Sequence, residues 1–171
     1  MSKAFDDAFE YVVGHEGKLS MDPHDRGNWT TGQVGFGELR GTMFGISAMA
    51  YPNEDIQHLT LDRAKFLMKR DYWDIVHGDD LPPGIALGLF DSAINQGVAF
   101  AVRALQGALR VTQDGNLGPV TIAAVAAANP HWLARGFAIS RVIRYSASRL
   151  WDEDGAGWVG RTLDTYDRMK G

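Results

Sequence analysis

The sequence predicts an all-helical or α+β domain in which one irregular segment, a loop region or small hairpin, follows the first helix. Three observations carry this. Apolar residues recur at helical spacing over most of the chain. Residues 17–45 break the pattern, holding seven glycines and a proline with no regular period. Proline, threonine and glycine also fall where helices start and stop.

Taken in order, Phe5, Phe9, Val12 and Val13 share one face of a helix over 4–14, and Gly14 and Gly17 suit its C-terminus. The glycine-rich stretch that follows is longer than an ordinary connection, and such loops in compact domains are often functional. Within it, Gln33–Phe36 or Thr42–Ile46 could pair as a small hairpin. Thr60 is placed to cap a helix whose stripe is Leu61, Ala64, Leu67, Met68 and Tyr72. Pro82-Pro83-Gly84 opens a helix with Ile85, Leu87, Leu89, Phe90 and Ile94, apolar nearly all round and so expected at the centre of the core. A helix is expected over about 100–109, and another from Pro119 to Ala128 after the turn Asp114-Gly115-Asn116. Asn129-Pro130 breaks the chain before a long helix over 131–150. Gly155-Ala156-Gly157 then reads as a break before a short last helix with Val159, Leu163 and Tyr166.

A chain of 171 residues can bury a core without staples, as one large domain or one domain with a small C-terminal subdomain. It has no cysteine, which excludes disulfides, thiolate metal sites and cysteine nucleophiles. A net charge of −4 argues against a nucleic-acid partner. Arg135, Arg141, Arg144 and Arg149 lie along one helix and read as a solvated face. The histidines show no metal-ligand spacing and no His-Glu-x-x-His run, so neither metal nor cofactor is expected. The N-terminus carries acids where a signal peptide needs an apolar run, and no stretch reaches the roughly 20 apolar residues of a membrane span. The expectation is a soluble chain made in the cytoplasm, without stable membrane insertion.

Chemistry concentrates where the first helix ends. A carboxyl group at Glu16 can project into a cleft lined partly by apolar helix residues, which disfavours its charged form and suits a general acid. Asp22 and Asp25, in Met21-Asp22-Pro23-His24-Asp25, are candidates for a second carboxylate that holds a water or stabilises an oxocarbenium-like transition state. On spacing alone a glutamate after a helix and an Asp-Pro-x-Asp turn are ordinary surface features.

The motifs, read together, are more specific. His15-Glu16-Gly17 followed by Asp22-Pro23-His24-Asp25-Arg26-Gly27, Gly41-Thr42-Met43-Phe44-Gly45-Ile46-Ser47, Lys69-Arg70-Asp71-Tyr72-Trp73 and Phe90-Asp91-Ser92-Ala93-Ile94-Asn95-Gln96-Gly97 resemble, in order, the motifs of glycoside hydrolase family 108, the phage-endolysin-type N-acetylmuramidases. Leu105-Gln106 with Val111–Thr121 is similar to the peptidoglycan-binding repeat often fused to that family. The chain departs from the family pattern at Lys18 and Leu19, beside the glutamate, and Thr31–Arg40 reads as an insertion.

The resemblance implies a mainly α, lysozyme-like α+β fold, with a muramidase domain over 1–97 and a helical peptidoglycan-binding region over 98–171 packed on it. It implies Glu16 as general acid, with Asp25 as base or electrostatic partner and Asp22 as competitor for that role or a loop cap. Thr42 would orient the attacking water and is preferred over Thr30 and Thr31, which match better by distance from Glu16. Trp29 could stack on a sugar ring; Trp73 could stack or belong to the core. Asn95 and Gln96 could bind an acetamido group or close a helix against Gly97. The Asp114–Thr121 run reads as a structural turn and helix. The partner implied is the peptidoglycan glycan strand, met by a monomer released to the wall through a holin pore. The rival readings are a lytic transglycosylase and a non-catalytic wall-binding domain.

Overall fold

The computed structural model describes residues 1–14 and 18–170 and has the mainly helical architecture expected. Its described elements are α1 (Lys3–Val13), β1 (Thr42–Met43), β2 (Ile46–Ser47), α2 (Leu61–Met68), α3 (Pro83–Gln96), α4 (Val98–Leu109), α5 (Pro119–Ala127), α6 (Pro130–Ser146) and α7 (Trp151–Met169). No helix is long and apolar enough to cross a membrane among the described residues. The chain forms two compact units, Phe9–Lys69 and Met1–Ala8 with Arg70–Gly171. The 97/98 boundary drawn from the sequence falls inside the second, between α3 and α4.

Helix ends follow the local chemistry. Thr60 accepts the Arg63 N–H at 3.2 Å at the start of α2, and Asn129 accepts the Trp132 N–H at 3.1 Å at the start of α6. Pro83, Pro119 and Pro130 occupy the first turns of their helices. Gly97, at φ 91°, closes α3 with its N–H on the Ala93 carbonyl. Beyond α2 the chain continues as one π-helical turn over Lys69–Trp73, which rotates Trp73 into the core of the larger unit.

That core is built on α3, which is buried from Ile85 to Ala93. Phe5, Trp73 and Phe90 meet edge to face with centroids 5.5–6.0 Å apart, a geometry that aromatic quadrupoles favour. The Trp73 Nε1–H, which would otherwise be a buried orphan donor, donates to Asp79 at 3.0 Å.

The last helix corrects the sequence expectation. α7 runs unbroken for 19 residues through Gly155, Ala156 and Gly157. Each glycine costs such a helix up to about 1 kcal/mol, but here tertiary packing overrides propensity. A Cβ on Gly155 would lie 2.9 Å from the Trp151 ring, so the small residue is what lets that indole fold back on its own helix. At the far end, a Cβ on Gly84 of α3 would lie 2.5 Å from the Arg168 carbonyl oxygen, so the two helices meet there backbone to backbone.

The arginine series needs a second correction. Arg141 does not belong to a solvated face: it is 1% exposed and donates through Nη2 to the buried Asp91 at 2.6 Å. Arg161 reaches the other Asp91 oxygen through Nε at 2.7 Å. Gln96 accepts from Arg141 Nε at 2.9 Å and donates to its carbonyl at 3.2 Å. One carboxylate thereby ties α3, α6 and α7 together. Replacing Asp91 with alanine should cost about 3–5 kcal/mol by urea denaturation, because it strands Arg141 as a buried uncompensated charge.

A second polar hub sits at Gln106 on α4, 1% exposed. Its Nε2 donates to Asp114 at 2.7 Å and the Asn116 carbonyl at 3.0 Å, with Thr121 Oγ1 also within 3.2 Å, while its Oε1 accepts the Gly115 N–H at 3.0 Å. The Asp114–Thr121 run is thus a turn folded around one amide. The Asn116 backbone N–H, and after it the Gln106 amide, hold the Asp114 carboxyl below its ordinary value of 3.8. A depressed carboxylate contributes stability above its unfolded pKa and loses it as pH falls through the folded value. Thermal melts of wild type and Asp114→Asn should therefore differ at neutral pH and converge in acid.

Candidate active site

The smaller unit carries the residues with which chemistry was associated. The last residues of α1 belong to it, and the helix stops where Gly14 turns to φ 67°, its N–H on the Glu10 carbonyl at 2.8 Å. Glu16, the expected acid, lies outside the described residues, as do His15 and Gly17. From Lys18 the path is defined. Ser20, four residues after Glu16 in the sequence, pairs antiparallel with Thr42: Ser20 N donates to Thr42 O at 2.9 Å, and Thr42 N to Ser20 O at 3.0 Å. Gly41, at φ 86°, makes room for this, since a Cβ there would lie 2.5 Å from the Ser20 carbonyl.

Thr42 opens the hairpin of β1 and β2, in the register Thr42↔Ser47 and Met43↔Ile46. The two-residue turn, Phe44-Gly45, has positive φ at both positions (51° and 74°), the geometry that matches strand twist. Of the two hairpins considered from sequence, this one forms. Gln33–Phe36 instead makes the closing turn of a separate arm, in which Trp29 bridges Leu39. The arm consumes two threonine hydroxyls: Thr30 Oγ1 accepts from Glu38 N at 3.0 Å, and Thr31 Oγ1 donates to Phe36 O at 2.8 Å. Thr42 is spared that use.

The acidic loop is held by backbone amides. Asp22 Oδ1 accepts the His24 N–H at 2.9 Å, and Asp25 Oδ1 accepts the Gly27 N–H at 2.8 Å, capping a short 3₁₀ turn over Arg26–Asn28. Each aspartate spends one oxygen on the loop, is exposed, and has its other oxygen without a bond among the described residues. The two carboxylates are thus similarly placed as turn residues, and neither is singled out by burial.

Asn28 joins these pieces. It is fully buried. Its Nδ2 donates to the Asp22 carbonyl at 3.0 Å and to Ser20 Oγ at 3.4 Å, and its Oδ1 accepts from Thr42 Oγ1 at 2.7 Å. The Asp22 carbonyl can only accept, so the amide nitrogen must face it and the amide oxygen must face Thr42. Thr42 therefore gives its single hydroxyl proton to Asn28 and keeps its lone pairs for a donor such as water.

A glycine-rich acidic loop and a β-hairpin threonine are features a glycosidase can use, and the profile of the family described as glycosyl hydrolase 108 matches residues 9–97. The chain belongs to glycosyl hydrolase family 108. This family-108 protein is a glycoside hydrolase. It is similar to the structure of Brucella abortus SagA, with a TM-score of 0.80 and 28% identity over 96% of this chain and 92% of that one. No curated protein matches the chain.

The remaining expected site residues of this hydrolase divide between the two units. Trp29, half-buried in the smaller unit, donates its Nε1–H to the Pro23 carbonyl at 2.9 Å and so braces the acidic loop. Trp73, in the larger unit, is 0% exposed, so it has no free face for a sugar; it is a core residue. Gln96 is partly buried, its oxygen accepting from Ser92 and Arg141 and its nitrogen donating to the Arg141 carbonyl, so most of its amide serves the packing of α3 on α6. Asn95 is exposed: its Nδ2 is pinned to the Asp91 carbonyl at 2.7 Å, while its oxygen has no bond among the described residues. It lines a groove of about 390 Å³ with Arg144, Tyr145 and Trp158.

Asn28 and Gly41 are the residues that sequence reasoning missed. Asn28 stands inside a quoted motif, Arg26-Gly27-Asn28-Trp29, but burial of its amide is a long-range property that spacing does not carry. Two outcomes follow for the hairpin. Thr42→Val should cost about 1–3 kcal/mol in chemical denaturation by leaving Asn28 Oδ1 unsatisfied, whereas Thr42→Ser, which keeps the hydroxyl, should cost less. Gly41→Ala should lower both the melting temperature and hydrolysis, since its Cβ would push Ser20 away from Thr42.

Proposed function

We propose that the chain is an N-acetylmuramidase of the endolysin type, hydrolysing the β-1,4 bond between N-acetylmuramic acid and N-acetylglucosamine in peptidoglycan strands. Family membership supports a peptidoglycan-degrading glycosidase. The observation that carries the finer reading is the Thr42 hydroxyl, whose proton is committed to Asn28 beside the acidic loop that follows Glu16.

Glu16 protonates the glycosidic oxygen as the bond breaks, so the sugar departs as an alcohol. Thr42 accepts a hydrogen bond from the attacking water, and Asp25, steadied through Oδ1 by Gly27, accepts the water's other proton or shields the developing oxocarbenium charge. Asp22 shapes the loop through the His24 N–H and the carbonyl that Asn28 holds. The region over 98–171 binds the wall, and the protein reaches it as a monomer released from the cytoplasm through a holin.

Glu16→Gln retains the shape and size of the acid but cannot donate the proton. Turbidity clearing of purified peptidoglycan should fall at least about a hundred-fold in this variant. Equal clearing by both proteins would remove Glu16 from the mechanism.

A further inference from the structure

Helix α6 forms a ridge between two grooves of the larger unit. One, of about 520 Å³, separates it from α4, and the other, of about 400 Å³, separates it from α7. Arg135 and Ile139 line both, so they crown the ridge. The spacing of Trp132, Arg135, Ile139 and Ile143 puts all four on one helical stripe. Trp132 is 62% exposed and Ile143 64%, and Leu163 of α7 stands open beside them. An apolar stripe left bare on a unit whose α3 core is complete marks a surface that something else covers.

Charge decides what covers it. Between Ser92 and Trp151 the chain holds six of its 17 basic residues and only one, Asp114, of its 21 acidic ones. Arg141 is committed to Asp91, but Arg110, Arg135, Arg144 and Arg149 make no ion pair among the described residues. No carboxylate among the described residues lines either groove, and Asp167 of α7 is paired with Lys170. A second copy packed through this face would set arginine against arginine. Any protein covering both grooves would bury Arg135 in mid-interface, where an unpaired charge is costly. A lipid surface carries no such penalty. Isoleucines enter the acyl boundary, an indole sits at headgroup level, and arginines extend their stems to reach phosphate. Arg135 lies 5.5 Å from the centre of the Trp132 ring, a pairing that both side chains can keep at that depth.

We infer that the α6 ridge docks the protein peripherally on a bilayer carrying anionic phospholipid. The stripe supplies the apolar contact and the unpaired arginines the attraction. Docking holds the hydrolase at the membrane and adds no chemistry. The inference does not draw on the muramidase reading, since vesicles contain no peptidoglycan and either can fail alone.

Co-sedimentation with vesicles tests it. Wild type should bind vesicles of equal parts phosphatidylcholine and phosphatidylglycerol at least about ten-fold more tightly than phosphatidylcholine alone, and high salt should erase the difference. Arg135→Gln should weaken binding about five-fold. Ile139→Ser with Ile143→Ser should weaken it about ten-fold or more at an unchanged Tm, because both side chains are exposed. Phe36→Ser, which removes an exposed ring from the smaller unit, should bind as wild type does. Tryptophan emission should shift to the blue on binding, and Trp132→Phe should abolish that shift. Equal binding to both vesicles, or full binding by the double isoleucine variant, would overturn the inference. So would loss of binding in Phe36→Ser, or a wild-type dimer that the double variant dissolves, which would assign the face to a second copy.

Discussion

Asn28 has one amide, and that amide is shared among three stretches of chain: the strand residue Ser20, the acidic loop at Asp22, and the hairpin residue Thr42. Its backbone carbonyl also accepts the N–H groups of Arg40 and Gly41, and its own N–H donates to Asp25. The smaller unit has few regular elements, and although Ile46, Ile56, Leu67 and Met68 are buried there, apolar burial is non-directional, so this buried amide is what fixes how its loops meet. Removing it would leave several donors and acceptors unpaired at once, each costing more than a normal hydrogen bond contributes. The placement of Asp22 and the direction of the Thr42 proton follow from this one side chain, and its backbone N–H holds Asp25.

The larger unit solves its own problem in the same manner. Its apolar core around α3 is ample, yet Asp91 and Gln106 are buried within it and bonded to arginines, amides and a turn. Hydrophobic burial is non-directional and sets compactness; these polar groups fix which helix sits where. Arg141 and Gln96, both expected at the surface or at a ligand, are spent on that internal order.

What was legible in the sequence was local. Thr60, Pro83, Pro119 and Asn129 announce helix starts by chemistry that acts over three residues, and the structure follows them. The apolar run of α3 announces burial from every side. The failures are long-range. Gly155 and Gly157 look like breakers until Trp151 folds over the first of them, and Arg141 looks like its neighbours on α6 until Asp91, fifty residues away, claims it. Trp73 carries an ambiguity that spacing cannot resolve, because a helix-end indole beside Tyr72 suits either a sugar or a core. In the candidate site, the motif order exposed Asp22, Asp25 and Thr42. The buried amide linking them has no signature in one sequence.

The physical picture is of a glycoside hydrolase whose acid loop and threonine are pre-set by buried hydrogen bonds before any sugar arrives. In the proposed mechanism pre-setting matters because a water aligned by fixed acceptors would not have to be reorganised as charge develops on the ring. The reading as a muramidase commits the water's oxygen to one product atom. Digestion of peptidoglycan in oxygen-18 water, followed by mass spectrometry, examines that atom directly. The account predicts one heavy oxygen at the reducing end of N-acetylmuramic acid. Unlabelled 1,6-anhydro ends, or label at the reducing end of N-acetylglucosamine, would contradict it.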